Sequence, residues 1–409
     1  MRTSQDAPLV ICGHGMVAQR LIERLVALGH PFNGIVVFNA EPFSAYNRIQ
    51  LSAFLANDMP EADLALKPRS WFARHKVTVF NHEPVTGIST DQGTVITAAG
   101  RVQPYSKLVL ATGSRPSSLG IRGEDLEGVS SFRDLADTRA LIKTASLHKR
   151  AVVIGGGFLG LEAAEGLRAR GMAVTVLHRS DYLLNRQLDK TAGELLKGLL
   201  AQRGLNILTG QSPAALLGKD RVTAIQLQDD TVLSTDLVVI ATGITPNIDL
   251  ALDAGLQCDK GICVDGRMRT SHPAVYALGE CCQFGSHTFG LVEPGFQQAQ
   301  VLAQHLCQPS EATEFSPGAI ATRLKISGIP IFSCGRVQSG PATEDIQWHD
   351  RPEHRYGRLL IEQGQLVGAV FMGDTANGHW YADLIDSGQD ISGYRDTIAF
   401  GQPYCEASA

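Results

Sequence analysis

The chain lacks the cysteine patterns of disulfide-stapled and zinc-binding domains. Its eight cysteines are scattered over 409 residues and show neither the Cys-x-x-Cys pattern nor the spacing of a zinc site. This scatter excludes a small disulfide-stapled secreted domain and predicts structural thiols in a reducing compartment. Two places remain where a dithiol might take part in redox chemistry: Cys258 with Cys263, and the adjacent Cys281 and Cys282. At both places we favour structural thiols.

The chain also lacks a long apolar run, a secretory leader and an excess of basic residues. No stretch reaches the roughly 20 apolar residues that span a bilayer, and the N-terminal residues lead directly into a short apolar segment. The net charge is -5, which excludes the basic footprint of most nucleic-acid-binding proteins. These absences predict a cytoplasmic protein that binds neither nucleic acid nor membrane.

What the chain does have is apolar residues, at 44%, and glycine-rich turns. Two segments fit the dinucleotide-binding fingerprint: GHGMVA at residues 13–18 and GGGFLG at residues 155–160. Each follows an apolar run that is typical of a buried strand and leads into a helical pattern. The glycines permit a tight turn, close approach of a pyrophosphate, and close packing of helix on strand. Two such units predict two nucleotides, usually a flavin and the nicotinamide that reduces it.

A second repeated signal supports an internal duplication. Apolar segments ending in Ala-Thr-Gly occur at residues 108–113 and 238–243, each near the end of a fingerprinted region. From about residue 316 the pattern changes to short alternating runs at residues 320–326, 331–335, 358–362 and 366–372, followed by a helix at about 378–387. We therefore predict an α/β fold with two Rossmann-like domains and a C-terminal α+β domain. The expected domains are residues 1–116 with 246–315, residues 117–245, and residues 316–409.

Several side chains of the first half suit a flavin nucleotide. Glu41 follows the second strand and fits a ribose, although it also fits a solvated loop, and strict counting points nearer Asn39 or Ala40. Arg48 suits a phosphate, with a surface arginine as the alternative. Glu280, after Gly279, can accept hydrogen bonds from ribityl hydroxyls. The expected contacts also include Met16, which begins the first helix, and Pro294 and Phe296, whose helix N-terminus would face the anionic side of a reduced flavin.

The second half carries the residues expected to meet the nicotinamide. Glu162 lies two residues beyond the fingerprint, on the first turn of the expected helix, and would orient the nicotinamide or lie beside flavin N5. Its alternative role is to interact with the helix dipole. His178 and Arg179 stand where an acid would select NADH. They therefore permit NADPH without requiring it, and Arg179 could instead stack on adenine.

Taken together, these motifs resemble the FAD oxidoreductases with two dinucleotide-binding domains, of the glutathione-reductase type. Finer matches at residues 13–17, 45–52, 185–189 and 289–295 resemble the flavin region of assimilatory NAD(P)H nitrite reductases and the electron-transfer subunits of assimilatory nitrate reductases. The resemblance implies FAD at Gly13, Gly15, Glu41, Arg48, Ala111, Thr112, Gly113, Gly279 and Glu280. It implies NAD(P)H at Gly155, Gly157, Phe158, Leu159, Gly160, Glu162 and Gly243.

Two departures from the family shape the functional hypothesis. Many relatives carry a lysine where this chain has Ala53, so Glu162 is expected to lack that partner. Relatives with a disulfide beside the flavin differ from this chain, and the chain ends before the iron–sulfur and sirohaem domains of the nitrite reductases. We therefore expect an NAD(P)H-dependent flavoprotein that passes electrons to an external acceptor, most simply the molybdenum and iron–sulfur subunit of assimilatory nitrate reductase. The alternatives are a stand-alone rubredoxin or ferredoxin reductase and a flavin-binding sensor with slow turnover.

Overall fold

The computed structural model describes residues 7–318, 321–326 and 328–406, which divide into two compact units. The first unit comprises the described residues of Met1–Leu51 with Pro60–Ser117 and Gly243–Ser316. The second comprises Ser52–Met59, Ser118–Thr242 and the described residues of Pro317–Ala409. The C-terminal segment is thus counted with the second unit, and the division into three domains stays a prediction. Within the described ranges, no helix is both long and apolar enough to cross a bilayer.

The helices of the described chain are α1 (Met16–Leu28), α2 (Leu51–Ala56), α3 (Arg69–Arg74), α4 (Leu135–Leu147), α5 (Phe158–Ala169), α6 (Lys190–Gln202), α7 (Asp249–Asp253), α8 (Val292–Cys307), α9 (Gly378–Ser387) and α10 (Gln402–Glu406). The strands are β1 (Leu9–Cys12), β2 (Ile35–Asn39), β3 (Val77–Asn81), β4 (Val85–Ser89), β5 (Thr94–Thr97), β6 (Val102–Pro104), β7 (Lys107–Leu110), β8 (Ser114–Pro116), β9 (Val129–Ser131), β10 (Arg150–Ile154), β11 (Ala173–His178), β12 (Asn206–Thr209), β13 (Pro213–Gly218), β14 (Val222–Leu227), β15 (Val232–Ser234), β16 (Leu237–Ile240), β17 (Ile244–Pro246), β18 (Ile262–Val264), β19 (Val275–Ala277), β20 (Cys282–Phe284), β21 (His287–Thr288), β22 (Thr322–Ile326), β23 (Ile329–Gly335), β24 (Glu344–Asp350), β25 (Arg355–Glu362) and β26 (Gln365–Met372).

A five-stranded parallel sheet forms the centre of the first unit. Its strand order is β19-β7-β1-β2-β3. All four residues of β1 are buried, as expected for a strand that is covered on both faces. Helix α1 runs back from this strand and ends at Gly29, which adopts the left-handed conformation at the helix C-terminus. The sequence therefore specified the core of this nucleotide-binding plan correctly.

A second parallel sheet repeats the plan in the second unit, with the order β9-β16-β10-β11-β12. The registers correspond: Cys12 at the end of β1 pairs with Phe38 and Leu110, and Ile154 at the end of β10 pairs with Leu177 and Ile240. Each fingerprint thus begins where three parallel strands end together. This equivalence confirms the predicted α/β class with two Rossmann-like units.

The two sheets differ in the origin of one edge strand. In the first unit, β19 pairs with β7, although about 165 residues separate them along the chain (Val275 lies beside Leu108). In the second unit, the corresponding strand β9 precedes the fingerprint and pairs with β16, so Val129 lies beside Val238. One sheet is therefore completed by a later part of the chain, and the other by an earlier part.

The C-terminal segment forms an antiparallel sheet with the order β22-β23-β26-β25-β24, and α9 packs on it. The predicted strands and the helix are present, although Ile320 lies outside the described residues. The sequence analysis missed β24, which reads EDIQWHD. It is a largely exposed edge strand, so its charged residues hid the alternating pattern on which the prediction depended. The sequence analysis also predicted that β25 begins at Arg358, whereas the strand begins three residues earlier, at Arg355.

Asp189 links the nucleotide-binding part of the second unit to this C-terminal sheet. Its carboxylate accepts a hydrogen bond from the Ala192 amide at 3.2 Å and so caps α6. The Tyr356 hydroxyl donates to the same carboxylate at 3.1 Å, and an Arg358 guanidinium nitrogen lies 3.8 Å from it. Both Asp189 and Arg358 are buried. The contact is therefore a buried polar connection between two sheets of one unit.

We expect Asp189→Ala to lower the free energy of unfolding by about 3 kcal/mol, because it removes a helix cap and leaves a buried guanidinium with one carboxylate fewer. Asp134 is a matched control, since it caps α4 through the Asp137 amide at 2.8 Å without such partners. Asp134→Ala should cost only about 1 kcal/mol. Urea unfolding of both variants measures the difference, and equal losses would show that the connection to Tyr356 and Arg358 contributes nothing.

Candidate functional site

The first fingerprint forms a turn that only glycine fits at its first position. Gly13 has φ +103, and a Cβ there would overlap the carbonyl oxygen of Ala111. Its amide donates to the Phe38 carbonyl at 2.8 Å. At Gly15, by contrast, no atom lies within 4 Å of the position a Cβ would take. The backbone is thus tightly held at Gly13 and open at Gly15, where α1 begins and Met16 is its first residue.

The second fingerprint reproduces this geometry in the second unit. Gly155 has φ +128, and a Cβ there would overlap the carbonyl oxygen of Ala241. Gly157 is open in the same way as Gly15, and Phe158 and Leu159 form the first turn of α5. Gly160 packs against the Gly155 carbonyl so closely that a Cβ would overlap it. The open helix N-terminus suits a pyrophosphate in both units.

Glu41 and Arg48, predicted for ribose and phosphate, lie together in the first unit. The Arg48 guanidinium forms an ion pair with the Glu41 carboxylate, and the Tyr46 hydroxyl donates to that carboxylate at 2.7 Å. Asn39, the alternative position, is buried and donates to the Phe43 carbonyl at 2.6 Å. Glu41, and not Asn39, therefore presents the polar group at the end of β2 that could bind a ribose. A carboxylate has free lone pairs beyond these two contacts and can still accept ribose hydroxyls.

Glu280 is held by a residue that the sequence analysis missed. The Ser114 hydroxyl donates to the Glu280 carboxylate at 2.7 Å, which brings together the segments that follow β7 and β19. The Gly279 amide donates at 2.8 Å to Gln298, a fully buried residue of α8. These links fix Gly279 and Glu280 against the helix that carries Pro294 and Phe296. A polar residue directly after the Ala-Thr-Gly segment was the available signal for Ser114.

Residues 111–113 are held by Asn247, which the sequence analysis also missed. The Thr112 hydroxyl donates to the Asn247 carbonyl at 2.8 Å, and the Asn247 side chain donates to the Thr112 carbonyl at 2.9 Å. Gly113 accepts the Asn247 amide and has φ +65. These contacts fix the backbone of the segment that follows β7, directly after Ala111. Because Asn247 is distant in sequence, only the fold brings it here.

His14 is a third residue that pattern reading passed over. The Ala45 amide donates to its Nδ1 at 3.3 Å, and its Nε2 lies 3.1 Å from the Gln19 side-chain oxygen. Burial lowers the pKa of His14 to about 4, so the ring is neutral near pH 7. The fingerprint accepts any residue at its second position, so the motif did not predict a role for His14. Through its hydrogen bond with the Ala45 amide, the His14 ring links the glycine-rich turn to the loop before Tyr46.

Glu162 lies on the second turn of α5, not on the first as expected. Burial raises the pKa of its carboxyl to about 7, against a hydrogen bond with the Ser52 side chain that lowers the pKa. The lysine position holds Ala53, as the sequence shows, and the hydroxyl of the neighbouring Ser52 lies beside Glu162 instead. The carboxyl is poised to exchange a proton near neutral pH.

The segment that carries Ser52 is fastened to α5. Leu55 fills the space above Gly166, where a Cβ would overlap its side chain. The Arg170 guanidinium donates to the carbonyl of Leu55, and to that of Phe54 at 3.2 Å. Since these carbonyls belong to the last turn of α2, where helix carbonyls lack partners within the helix, Arg170 caps them. This packing holds the Ser52 hydroxyl at Glu162.

Comparison with known proteins gives the family. Residues 7–305 match the family described as pyridine nucleotide-disulphide oxidoreductase. The chain belongs to this family. Residues 321–389 match the domain described as the rubredoxin NAD+ reductase C-terminal domain. As a family member, the protein is an oxidoreductase that uses FAD and NAD(P)H, which confirms the predicted cofactors.

Three relatives illustrate the similarity. The chain is 39% identical to a nitrite reductase [NAD(P)H] of Bacillus subtilis, over 94% of this chain and 48% of that protein. It is also 39% identical to the assimilatory nitrate reductase electron transfer subunit of Bacillus subtilis, over 94% and 50%. A crystal structure of the covalent putidaredoxin reductase–putidaredoxin complex matches with a TM-score of 0.85 and 25% identity, over 94% of each chain. The chain thus spans about half the length of the two curated relatives.

The residues of this family member fit both nucleotides. The open position at Gly15, in the unit that holds the anchored carboxylates Glu41 and Glu280, fits the phosphate cradle that FAD would need. The open position at Gly157 fits the second cradle that NAD(P)H would need. Gly243 is counted with the first unit, where its carbonyl accepts the Ser117 amide at 3.1 Å, and its contact with the nicotinamide stays a prediction.

His178 and Arg179 have different environments in this reductase. His178 is buried, and its Nδ1 accepts the Gly156 amide at 3.1 Å, so it supports the fingerprint turn. Arg179 is exposed at the end of β11. Of the two, only Arg179 therefore has a charge available to a nucleotide phosphate.

We expect Arg179→Ala to raise the KM for NADPH about tenfold and to leave the KM for NADH unchanged, because only NADPH carries the 2′-phosphate that a guanidinium binds. Arg203, exposed at the end of α6, provides a matched control. Steady-state kinetics with both nucleotides measure the effect. Equal changes for NADPH and NADH would assign Arg179 to adenine stacking instead.

The eight cysteines are all free thiols. Cys281 and Cys282 follow Glu280 and are fully buried, and burial raises the pKa of both. The Cys281 thiol donates to the Leu110 carbonyl at 3.4 Å. Burial also raises the pKa of Cys258 to about 11, with a contribution from Cys263. The Cys258, Cys281 and Cys282 thiols are therefore protonated near pH 7 and are poor nucleophiles.

Proposed function

We propose that this oxidoreductase takes reducing equivalents from NAD(P)H and passes them to a separate redox protein. We further propose that the partner is the molybdenum and iron–sulfur subunit of an assimilatory nitrate reductase, and that the reaction takes place in the cytoplasm. One relative at 39% identity is the electron transfer subunit of an assimilatory nitrate reductase, which supports this partner. FAD, when bound, accepts a hydride and releases electrons one at a time, which amino-acid side chains do not do.

The state of the cysteines carries the proposal. The adjacent Cys281 and Cys282 are buried free thiols whose pKa is raised by burial, so they do not suit the role of the dithiol that accepts electrons in disulfide-reducing enzymes. Across the described ranges, no three His, Cys, Asp or Glu side chains cluster as metal ligands. The described part of the chain thus offers the electrons no second acceptor, and we propose that they leave it.

The chain's own residues bind and orient the nucleotides in this proposal. The positive end of α1 receives a pyrophosphate at Gly15, and the carboxylates of Glu41 and Glu280 accept hydrogen bonds from ribose and ribityl hydroxyls. The positive end of α8 favours negative charge on the reduced cofactor. Glu162 orients the nicotinamide and can hold a proton near pH 7.

A rubredoxin or ferredoxin reductase is the second candidate. The match of residues 321–389 to the rubredoxin NAD+ reductase C-terminal domain favours it. Both candidates share the same reduction by NAD(P)H and differ only in the acceptor. A sensor with slow turnover differs from both, because its flavin would stay oxidised for minutes after mixing with NAD(P)H.

Anaerobic rapid mixing of the holoprotein with NADPH or NADH is the first part of the test, and we expect bleaching of the flavin within seconds. The reduced protein is then mixed with a nitrate reductase catalytic subunit, a rubredoxin or a [2Fe–2S] ferredoxin. Nitrate-dependent NAD(P)H oxidation in the first mixture supports the proposed partner. Rapid reduction of rubredoxin or ferredoxin alone would support the second candidate, and slow bleaching would contradict both.

A further inference from the structure

A cleft lies at the amino ends of two central strands of the first unit, on the edge of the sheet opposite the first fingerprint. Lys107 begins β7, and Tyr276 lies on the neighbouring strand β19. These strands end about 10 Å away, at Leu110 and Ala277, beside Cys12 and the glycine-rich turn. Because Rossmann-like units bind nucleotides at the carboxyl ends of their strands, this cleft is separate from the proposed flavin cradle.

The cleft, which we call the β7–β19 cleft, has a volume of about 660 Å³. This volume is larger than an inorganic ion needs and is typical of a small-molecule site. Asp265 is a carboxylate of its lining. The lining also offers cationic, hydroxyl, amide and thiol groups, from Lys107, Arg269, Ser271, Tyr276, Gln257 and Cys263.

The hydroxyl of Tyr276 is a hydrogen-bond donor that lacks an acceptor. Tyr276 is only 3% exposed, and in the part of the chain that the structure describes its hydroxyl forms no hydrogen bond. Burial raises the pKa of this hydroxyl, so it keeps its proton near pH 7. A buried donor without an acceptor destabilises the free protein, and a ligand that supplies the acceptor therefore gains affinity.

Lys107 and Arg269 supply positive charge to the same cleft. The Lys107 ammonium donates to the Pro273 carbonyl at 3.2 Å and lies 5.7 Å from the centre of the Tyr276 ring. Among the described residues, no carboxylate pairs with Lys107. Arg269 donates to Asp265 through its Nε at 2.6 Å, and its two terminal nitrogens have no partner within the described ranges. Both side chains thus retain N–H groups for an anion.

His305, another lining residue, shows the sign of the local electrostatic field. Burial lowers its pKa, and the charges of Arg267, Arg269 and Lys107 lower it further. The lining carboxylate acts in the opposite sense. Arg267 also has a carboxylate neighbour, Glu314, at 3.3 Å. Cations still outnumber carboxylates around the cleft, so it attracts anions.

We propose that the β7–β19 cleft binds a phosphate monoester, an inference that goes beyond the proposed electron transfer. Such a ligand carries close to two negative charges near pH 7 and three strong acceptor oxygens. These oxygens suit the ammonium of Lys107, the guanidinium edge of Arg269 and the hydroxyl of Tyr276. The Ser271 oxygen accepts the Gln257 amide at 3.0 Å, and its own proton remains to be donated. The remaining volume accommodates the organic part of the ligand.

Calorimetric titration of the holoprotein with glucose 6-phosphate at low salt tests this assignment. We expect saturable binding to wild type and a Kd about tenfold higher in Lys107→Gln and in Tyr276→Phe, because each change removes one donor to a charged acceptor. Tyr276→Phe keeps the buried ring, so the core is preserved. Lys260→Gln is the matched control, since Lys260 is an exposed lysine of the same unit outside the cleft lining. Flavin reduction by NADPH should be unchanged in all variants.

Cys263 allows the bound ligand to be located in the wild-type protein. Its thiol is free and lines the cleft. Glucose 6-phosphate at ten times its Kd should therefore slow the alkylation of Cys263 by iodoacetamide about tenfold, as measured by mass spectrometry. Cys307, a half-buried free thiol of the same unit outside the lining, should react at an unchanged rate.

Several results would overturn this inference. One is the absence of binding, or an equal Kd for wild type, Lys107→Gln and Tyr276→Phe. Equal slowing of Cys263 and Cys307 would place the ligand elsewhere. Inorganic phosphate or succinate that binds as tightly as glucose 6-phosphate would show that the cleft selects charge alone, and the phosphate monoester would be the wrong ligand. None of these results bears on the electron acceptor, which the rapid-mixing experiment tests by itself.

Discussion

Gly15→Ala is expected to fold normally and to bind FAD about thirtyfold more weakly. The backbone at Gly15 is extended, with φ -88, and no atom lies within 4 Å of the new methyl group. The substitution therefore costs the empty fold little. With the nucleotide present, the methyl group occupies the approach of the pyrophosphate, and overpacking of this kind costs roughly 2 kcal/mol, or about thirtyfold in affinity. Reconstitution of the apoprotein with FAD, followed by fluorescence, measures the change.

The equivalent change in the second unit provides the comparison. Gly157→Ala should keep FAD and raise the KM for NAD(P)H about thirtyfold, because Gly157 is open in the same way. Gly198→Ala is the neutral control, since it fills open space on α6 away from both fingerprints. Loss of FAD from the Gly157 variant would show that the two cradles are assigned the wrong way round. Normal FAD affinity in the Gly15 variant would show that Gly15 does not face the pyrophosphate of FAD.

Glu162→Gln is expected to become more stable than wild type as pH rises, by up to about 3 kcal/mol. Burial raises the pKa of Glu162 from 4.5 to about 7, and a pKa difference of one between folded and unfolded chain corresponds to about 1.4 kcal/mol. Between these values the unfolded chain has lost its proton while the folded chain keeps it, so rising pH favours unfolding. The wild type thus loses stability relative to the variant from about pH 4.5 to about pH 7, and no further above that.

Urea unfolding of both apoproteins at pH 4, 6 and 8 measures this difference. Ser52→Ala provides a second check, because the Ser52 hydrogen bond lowers the pKa of Glu162 and its loss should move the upper limit of the effect to higher pH. A stability difference between wild type and Glu162→Gln that is constant from pH 4 to pH 8 would show that the carboxyl titrates normally.

The sequence predicted the elements whose local pattern is strong. Both fingerprints, their strands and the C-terminal helix Gly378–Ser387 follow from apolar periodicity and from glycines that the turns require. The charged edge strand Glu344–Asp350 does not, because its residues face solvent and carry no apolar alternation. Local patterns report burial, so they predict buried strands better than exposed ones.

The partners of the site residues were harder to predict than the residues themselves. Glu41 and Arg48 were assigned separate roles, and the fold pairs them in one ion pair. The contact of Ser52 with Glu162 and that of Ser114 with Glu280 join segments more than 100 residues apart. No property of the individual residues predicts such a contact. It depends on how strands and helices pack, which short-range chemistry does not determine.

The different origins of the two edge strands give the units a different order of completion during synthesis. The parallel sheet of the second unit has all its strands once residue 240 has been made, since β9 precedes its fingerprint. The sheet of the first unit waits for Val275–Ala277, although its first strand begins at Leu9. Because domains fold as their chain emerges, the fingerprint of the second unit can be formed before that of the first unit has its full sheet. If FAD binds the first unit, as we propose, its insertion is a late event, and we expect a chain truncated before Val275 to lose the flavin.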